Sequence, residues 1–134
     1  MNYQNIKTWE DACKVHGINP TQLPKVSMIP NRFKDWIINM YKMGVITEAI
    51  NTDENGEIWI PNWNDSNELK YFPWFKIKAT KTKPLGVGFS RSLCVYWYAD
   101  AVCGSRLCFD DSNKVAHVQK YFKDIFIEMF LIKE

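Results

Sequence analysis

Five side chains combine a type and a spacing that chemistry could use: Phe72, Trp74, Lys76, Lys78 and Arg106. In an extended chain with a period of two, the first four share one strand face. Rings followed by cations suit single-stranded nucleic acid, whose bases stack and whose phosphates need counter-charge, or a single nucleotide. Lys81 and Lys83 extend the basic run, the only local one in the chain. Lysines on a strand edge have a commoner use, which is to discourage edge-to-edge association. The net charge of only +2 favours that plainer role, and no RNP, helix-turn-helix or zinc signature accompanies the run.

Other chemistry-bearing residues lack a working arrangement. Gly86-Val87-Gly88 has neither the third glycine of a dinucleotide loop nor the Gly-Lys-Ser/Thr ending of a P-loop, and it leads into a strand. It reads as a bulge or a close backbone crossing. Gly104-Ser105-Arg106 reads as a turn whose Arg106 pairs with Asp100 or Asp110, or presents its guanidinium to an anion. His16 and His117 fall on expected helices with no nucleophile elbow nearby, and His117 is placed at the edge of an apolar stripe. Asp65, Asp100, Asp110 and Asp111 could gather at one end of a sheet, yet each also suits a turn or a cap. The four cysteines, Cys13, Cys94, Cys103 and Cys108, make no C-x-x-C and stand at no zinc spacing from either histidine. They read as reduced thiols buried as small hydrophobes in a reducing cytoplasm. Neither a metal nor another cofactor is expected, and an enzyme is the last-ranked reading.

The elements that must position these residues follow from periodicity. Thr8 and Asp11 form a capping box for a short helix that ends at Gly17. Pro20, Pro24 and Pro30 make the next stretch irregular. A long helix is expected from Pro30 to Asn51, with Phe33, Trp36, Ile37, Met40, Tyr41, Gly44 and Ala49 or Glu48 on its apolar stripe, widened by Ile38, Val45 and Ile46. Gly44 marks a kink, a close approach or a break into two helices. Asp53 to Gly56 is a turn, Ile58 to Ile60 a short strand stopped by Pro61, and Trp63 to Asn67 a polar loop. The strand Lys70–Lys78 follows, burying Tyr71, Phe75 and Ile77 and leaving Phe72, Trp74, Lys76 and Lys78 outward. Gly88 to Tyr98 alternates as the best strand, and Arg106 to Phe109 returns as a short one. A final helix capped near Asp110 to Ser112 reaches Leu131, with Val115, Val118, Phe122, Ile125, Phe126, Met129 and Phe130 on its apolar stripe and Gln119 solvated.

These elements make one α+β domain over residues 1–134: a small antiparallel sheet of three to four strands, packed against the N-terminal helices and a long C-terminal helix. The chain is 46% hydrophobic and 24% charged, ordinary for a globular protein, but six Trp, six Tyr and eight Phe make it aromatic-rich. That many polar-tipped rings points to a partly exposed aromatic surface. No apolar run approaches the roughly 18 residues of a membrane span, and the N-terminus has no signal-peptide pattern.

Taken together, Trp63-Asn64-Asp65, Lys70-Tyr71-x-Pro73-Trp74-Phe75, Gly86-x-Gly88-Phe89-Ser90 and Gly104 to Phe109 resemble a group of uncharacterised small proteins encoded by phages and prophages of gut bacteria. The likeness spans most of the chain and carries no activity with it. It implies a phage product that acts in the host cytoplasm or is packaged in the virion. Extra residues around Asp53 to Glu57 imply a tolerated loop insertion. The leading expectation is a non-enzymatic binding protein that uses an aromatic surface for a protein partner or for self-association. The alternative is a nucleic-acid or nucleotide binder using Phe72, Trp74, Lys76, Lys78 and Arg106.

Overall fold

A computed structural model describes residues 2–99 and 104–132. In chain order it has a 3-10 turn at Tyr3–Asn5, helix α1 (Trp9–His16), helix α2 (Asn31–Ile50) and strands β1 (Lys70–Lys78) and β2 (Gly88–Trp97). A second 3-10 turn at Ser105–Leu107 leads to helices α3 (Ser112–Tyr121) and α4 (Lys123–Phe130). The class is α+β.

Local hydrogen bonds account for both ends of α1. Thr8 Oγ1 accepts from the Asp11 N–H at 3.1 Å, and the Asp11 carboxylate accepts from the N–H groups of Thr8 and Lys7 at 3.1 and 2.9 Å. Those bonds, the one from Lys7 foremost, hold the Asp11 carboxyl below its ordinary range. Gly17 closes the helix with φ of 64°, the left-handed region in which a side chain is disfavoured. Beyond it, the Trp9 indole N–H donates to the Pro20 carbonyl at 3.0 Å and ties down the proline-rich connection.

Helix α2 runs unbroken through Gly44. A Cβ built there would meet nothing within 4 Å, so no neighbouring element requires the glycine. The two halves of α2 differ in burial. Met43, Val45, Ile46, Thr47, Ala49 and Ile50 are buried, whereas Phe33, Trp36 and Met40 are exposed. The expected stripe is therefore a core face only in its second half.

Strands β1 and β2 form an antiparallel hairpin, the one sheet among the described residues. The expectation of three to four strands is corrected accordingly. Ile58 contributes a single bridge to Thr52, and Phe109 a single bridge to Tyr71. That second bridge has two short bonds, Tyr71 N–H to Phe109 carbonyl at 2.9 Å and the reverse at 2.7 Å. It cannot lengthen, because the 3-10 turn ends at Leu107 and Asp111 already caps α3.

The ladder also explains Pro73. Since the N–H and C=O of Tyr71 point to Phe109, away from β2, alternation sends the backbone of Pro73 the same way. Its missing N–H therefore costs no bond to β2 and blocks the outer edge of β1 against further strands. Gly86 is the close crossing expected of that loop: its φ is 108°, and an added Cβ would lie 2.7 Å from Ile77 Cγ2.

The long C-terminal helix is also corrected, into α3 and α4. Phe122 leaves the helical region at φ −123°, ψ 22°, with neither Gly nor Pro responsible. The break lets α3 lie on the hairpin and α4 on α2, and it buries the Phe122 ring at 3% exposure. Two partners at different angles outweigh helix continuity. The core sits where these layers meet, formed among others by Ile6, Ile46, Ile50, Phe109, Val118 and Phe126. Phe75 stacks on Phe89 with ring centroids 4.2 Å apart and meets Phe126 at 5.0 Å, pairs that add about 0.5–1.5 kcal/mol each beyond their buried area.

Two polar residues serve this core, the first of them against expectation. Gln119, placed in solvent by the helical pattern, is buried and donates its amide to the Leu93 carbonyl. His117 is buried too, with Nε2 2.6 Å from the Ile6 carbonyl and its ring against Tyr3 and Tyr121. Of the cysteines, Cys13 and Cys108 are buried, and burial pushes the Cys13 thiol up. Cys94 is exposed on β2, contrary to the expectation of a buried thiol, and Cys103 lies outside the described residues.

Candidate interaction surfaces

The strand register separates the five candidate residues. Cross-strand partners on one face of the hairpin are Phe72 with Val95, Trp74 with Leu93, and Lys76 with Arg91. Phe72 is only 4% exposed, so its expected outward position is corrected. Beside it at the base of β1, Lys70 is fully buried. Its Nζ donates to the Asp65 carbonyl at 3.0 Å, lies 3.4 Å from the Glu68 carboxylate and 5.3 Å from the centre of the Trp63 ring. Alternation identified the outward face, but it could not reveal that the loop from Trp63 to Glu68 folds over the base of that face. Ile77, expected inside, is half exposed.

Trp74, Lys76 and Lys78 remain exposed and lie together. The register adds Arg91, which sequence alternation left unassigned. From residue 70 to 99 the chain holds Lys70, Lys76, Lys78, Lys81, Lys83 and Arg91 and no Asp or Glu. Eleven of the 17 cations and all 15 carboxylates lie elsewhere, a net of −4, so the modest overall charge conceals a strongly basic hairpin. Lys76 directly faces Arg91 across the ladder, and like charges so placed destabilise a sheet.

A second surface lies between the start of α2 and the end of α4. Phe33, Trp36, Phe130 and Ile132, at 39%, 46%, 42% and 72% exposure, line an apolar groove of about 680 Å3. Arg32, Asp35 and Glu128 stand on its rim. The expected stripe of α2 contained Phe33 and Trp36, but periodicity alone cannot say whether a stripe faces a core or solvent.

Arg106 belongs to neither surface. It is exposed at the mouth of a third, smaller cleft with Trp59. Asp110 pairs with Lys114 at 2.8 Å, and Arg106 has no ion pair among the described residues; Asp100, its other expected partner, lies outside them. Among the described residues no three of His, Cys, Asp and Glu come together in a way that could hold a metal, and no helix is long and apolar enough to cross a membrane.

No family model, curated protein or solved structure matches this chain. The functional reading therefore rests on the surfaces themselves.

Proposed function

We propose that the protein is a non-enzymatic interaction protein of phage origin, acting in the host cytoplasm or in the virion, and that its exposed aromatic surface holds a protein partner. The observation that carries this reading is the half-exposed Trp36, grouped with Phe33, Phe130 and Ile132 around one groove. Tryptophan is over-represented at binding hot spots, and contiguous exposed apolar area marks interaction sites. The partner is a host or virion protein, or a second copy of the chain. Phage origin rests on the sequence resemblance.

Capture from a host lysate tests the reading, with light scattering of the purified protein to register self-association. The wild type and Trp74→Ala retain the same partner, and Trp36→Glu loses it. Equal capture by all three would reject the groove.

The basic hairpin supports a second reading, a nucleic-acid or nucleotide surface built on Trp74, Lys76, Lys78 and Arg91. Its support is the like-charged Lys76–Arg91 pair, whose repulsion an anionic ligand relieves. Neutralising three phosphates of a single strand, one for each of Lys76, Lys78 and Arg91, corresponds to a log–log salt slope of about −2. Fluorescence titration with oligothymidylate checks this, and a flat salt dependence would remove it.

A further inference from the structure

The two outer edges of the hairpin are protected unequally. Along β1, Tyr71 commits its N–H and C=O to Phe109, and Pro73 has no N–H to offer. Across the ladder, Tyr71, Pro73 and Phe75 face Tyr96, Cys94 and Ser92. Because Tyr71 turns its backbone away from β2, Tyr71–Tyr96 is a non-hydrogen-bonded pair. Alternation makes Pro73–Cys94 and Phe75–Ser92 pairs of the same kind. The main-chain N–H and C=O groups of Ser92, Cys94 and Tyr96 therefore point away from β1. All three residues are exposed, and among the described residues nothing bonds to those groups.

An open edge of this kind is a template for another strand, and proteins blunt it with proline, lysine, a bulge or a covering segment. On β2 the register shift falls at Ser90 and the one charge is Arg91. From Ser92 to Tyr96 there is no charge, proline or glycine. One edge of the hairpin is closed and the other is left open.

The chemistry of the edge selects what fills it. It offers carbonyl acceptors as well as N–H donors at strand spacing. Nucleic-acid phosphates only accept, and so leave the carbonyls unmet, whereas a polypeptide backbone supplies both groups. On the face shared with Trp74 and Lys76, β2 presents Arg91, Leu93 and Val95 in turn. A carboxylate opposite Arg91 offsets its repulsion with Lys76, and apolar residues opposite Val95 and the 37% exposed Leu93 cover both. A second copy of the hairpin does not suit, since each copy carries six cations and no carboxylate between residues 70 and 99.

We propose that the edge of β2 from Arg91 to Tyr96 binds an extended segment of a partner protein as an added antiparallel strand, reading apolar-x-apolar-x-acidic. Main-chain bonds to Ser92, Cys94 and Tyr96 hold the segment, and its acidic residue at Arg91 fixes the register. This inference does not depend on the groove at Trp36.

Selection from a display library of random peptides on the full chain, followed by calorimetry of a selected peptide, tests it. The selected peptides share alternating apolar residues followed by Asp or Glu. Methylating their amide nitrogens one at a time gives a readout on the unaltered protein: amides facing β2 lose binding at least about tenfold, and the intervening ones keep it. Cys94→Pro repeats on β2 what Pro73 does on β1. It removes an outward N–H, leaves the hairpin's own ladder intact and abolishes binding, while Cys94→Ser retains it. Arg91→Glu weakens the peptide about tenfold and accepts the version with Lys in place of the acid. Trp36→Glu binds as the wild type does. Selected peptides without a common pattern, methylation effects without a two-residue period, full binding to Cys94→Pro or unchanged affinity in Arg91→Glu each overturns the proposal. So does loss of binding in Trp36→Glu, which moves the peptide to the groove, or binding of oligothymidylate through Arg91 in place of any peptide.

Discussion

Lys70 and Lys76 lie six residues apart on one face of one strand, yet they live in different solvents. At the base of the hairpin, Lys70 is fully buried under Trp63 and bonded to Asp65 and Glu68, and Phe72 is sealed beside it. Toward the tip, Lys76 and Lys78 are exposed, and Lys76 faces another cation. The base is structural and the tip is free to bind. Identical side chains take opposite roles according to what covers the strand.

Truncation should expose that contrast most sharply. Phe72→Ala is expected to lose about 3–5 kcal/mol, the cost of emptying a sealed aromatic site, while Trp74→Ala loses no more than about 1. Urea denaturation measures both, and comparable losses would erase the distinction between base and tip. Lys70 comes next. Lys70→Ala should cost about 2–4 kcal/mol, because a fully buried side chain is removed. Lys70→Met keeps that volume and should stay within about 1 kcal/mol of the wild type. If methionine proves as damaging as alanine, the ion pair with Glu68 and not the packing holds the base together.

Asp11 shows what a solvent-facing charge contributes once it has partners, which Lys76, Lys78 and Arg91 lack among the described residues. Asp11→Ala should cost about 1 kcal/mol through loss of the capping box. The Asp11 carboxyl is held below its ordinary value in the folded chain, so its contribution is full above the unfolded value of about 3.9. It is lost as pH falls through the lower folded value. The stability difference from Asp11→Asn should shrink over that acidic window and be flat from pH 5 to 8, as pH-dependent unfolding will show. The smallest expected effect is at the tip. Lys76→Glu turns a like-charged pair with Arg91 into an opposite-charged one and should gain about 0.5 kcal/mol. The same change should weaken any anion bound there, and a loss of stability would show that the two side chains do not meet.

Much of the local structure was legible. The Thr8–Asp11 box, the left-handed Gly17, the bounds of α2 to within a residue and the whole span of β1 follow from capping chemistry and period alone. The Asx turn at Asp65, which accepts from the Asn67 N–H at 2.9 Å, follows from residue type. Of the five candidate residues, Trp74, Lys76 and Lys78 are exposed as expected and Phe72 is not, while Arg106, expected to pair with Asp100 or Asp110 or to face an anion, is exposed. The break at Phe122 had no signal, because no Gly or Pro interrupts a helical pattern there. Thr47 and Asn51 had none either. A threonine in a helix and an asparagine at its end look ordinary until both are found on the wall of a cleft.

The chain by itself determined the bounds of α1, α2 and β1, since caps, proline and side-chain period act over a few residues. It also determined that the hairpin carries no carboxylate. Only the tertiary structure decided which stripe is core and which is surface. It turned the first half of α2 outward and the second half inward, buried Lys70 while leaving Lys76 exposed, and brought Asn51 and Arg106 to one cleft. Period describes which side chains share a face. Burial depends on distant segments coming to cover that face, and no local rule contains them.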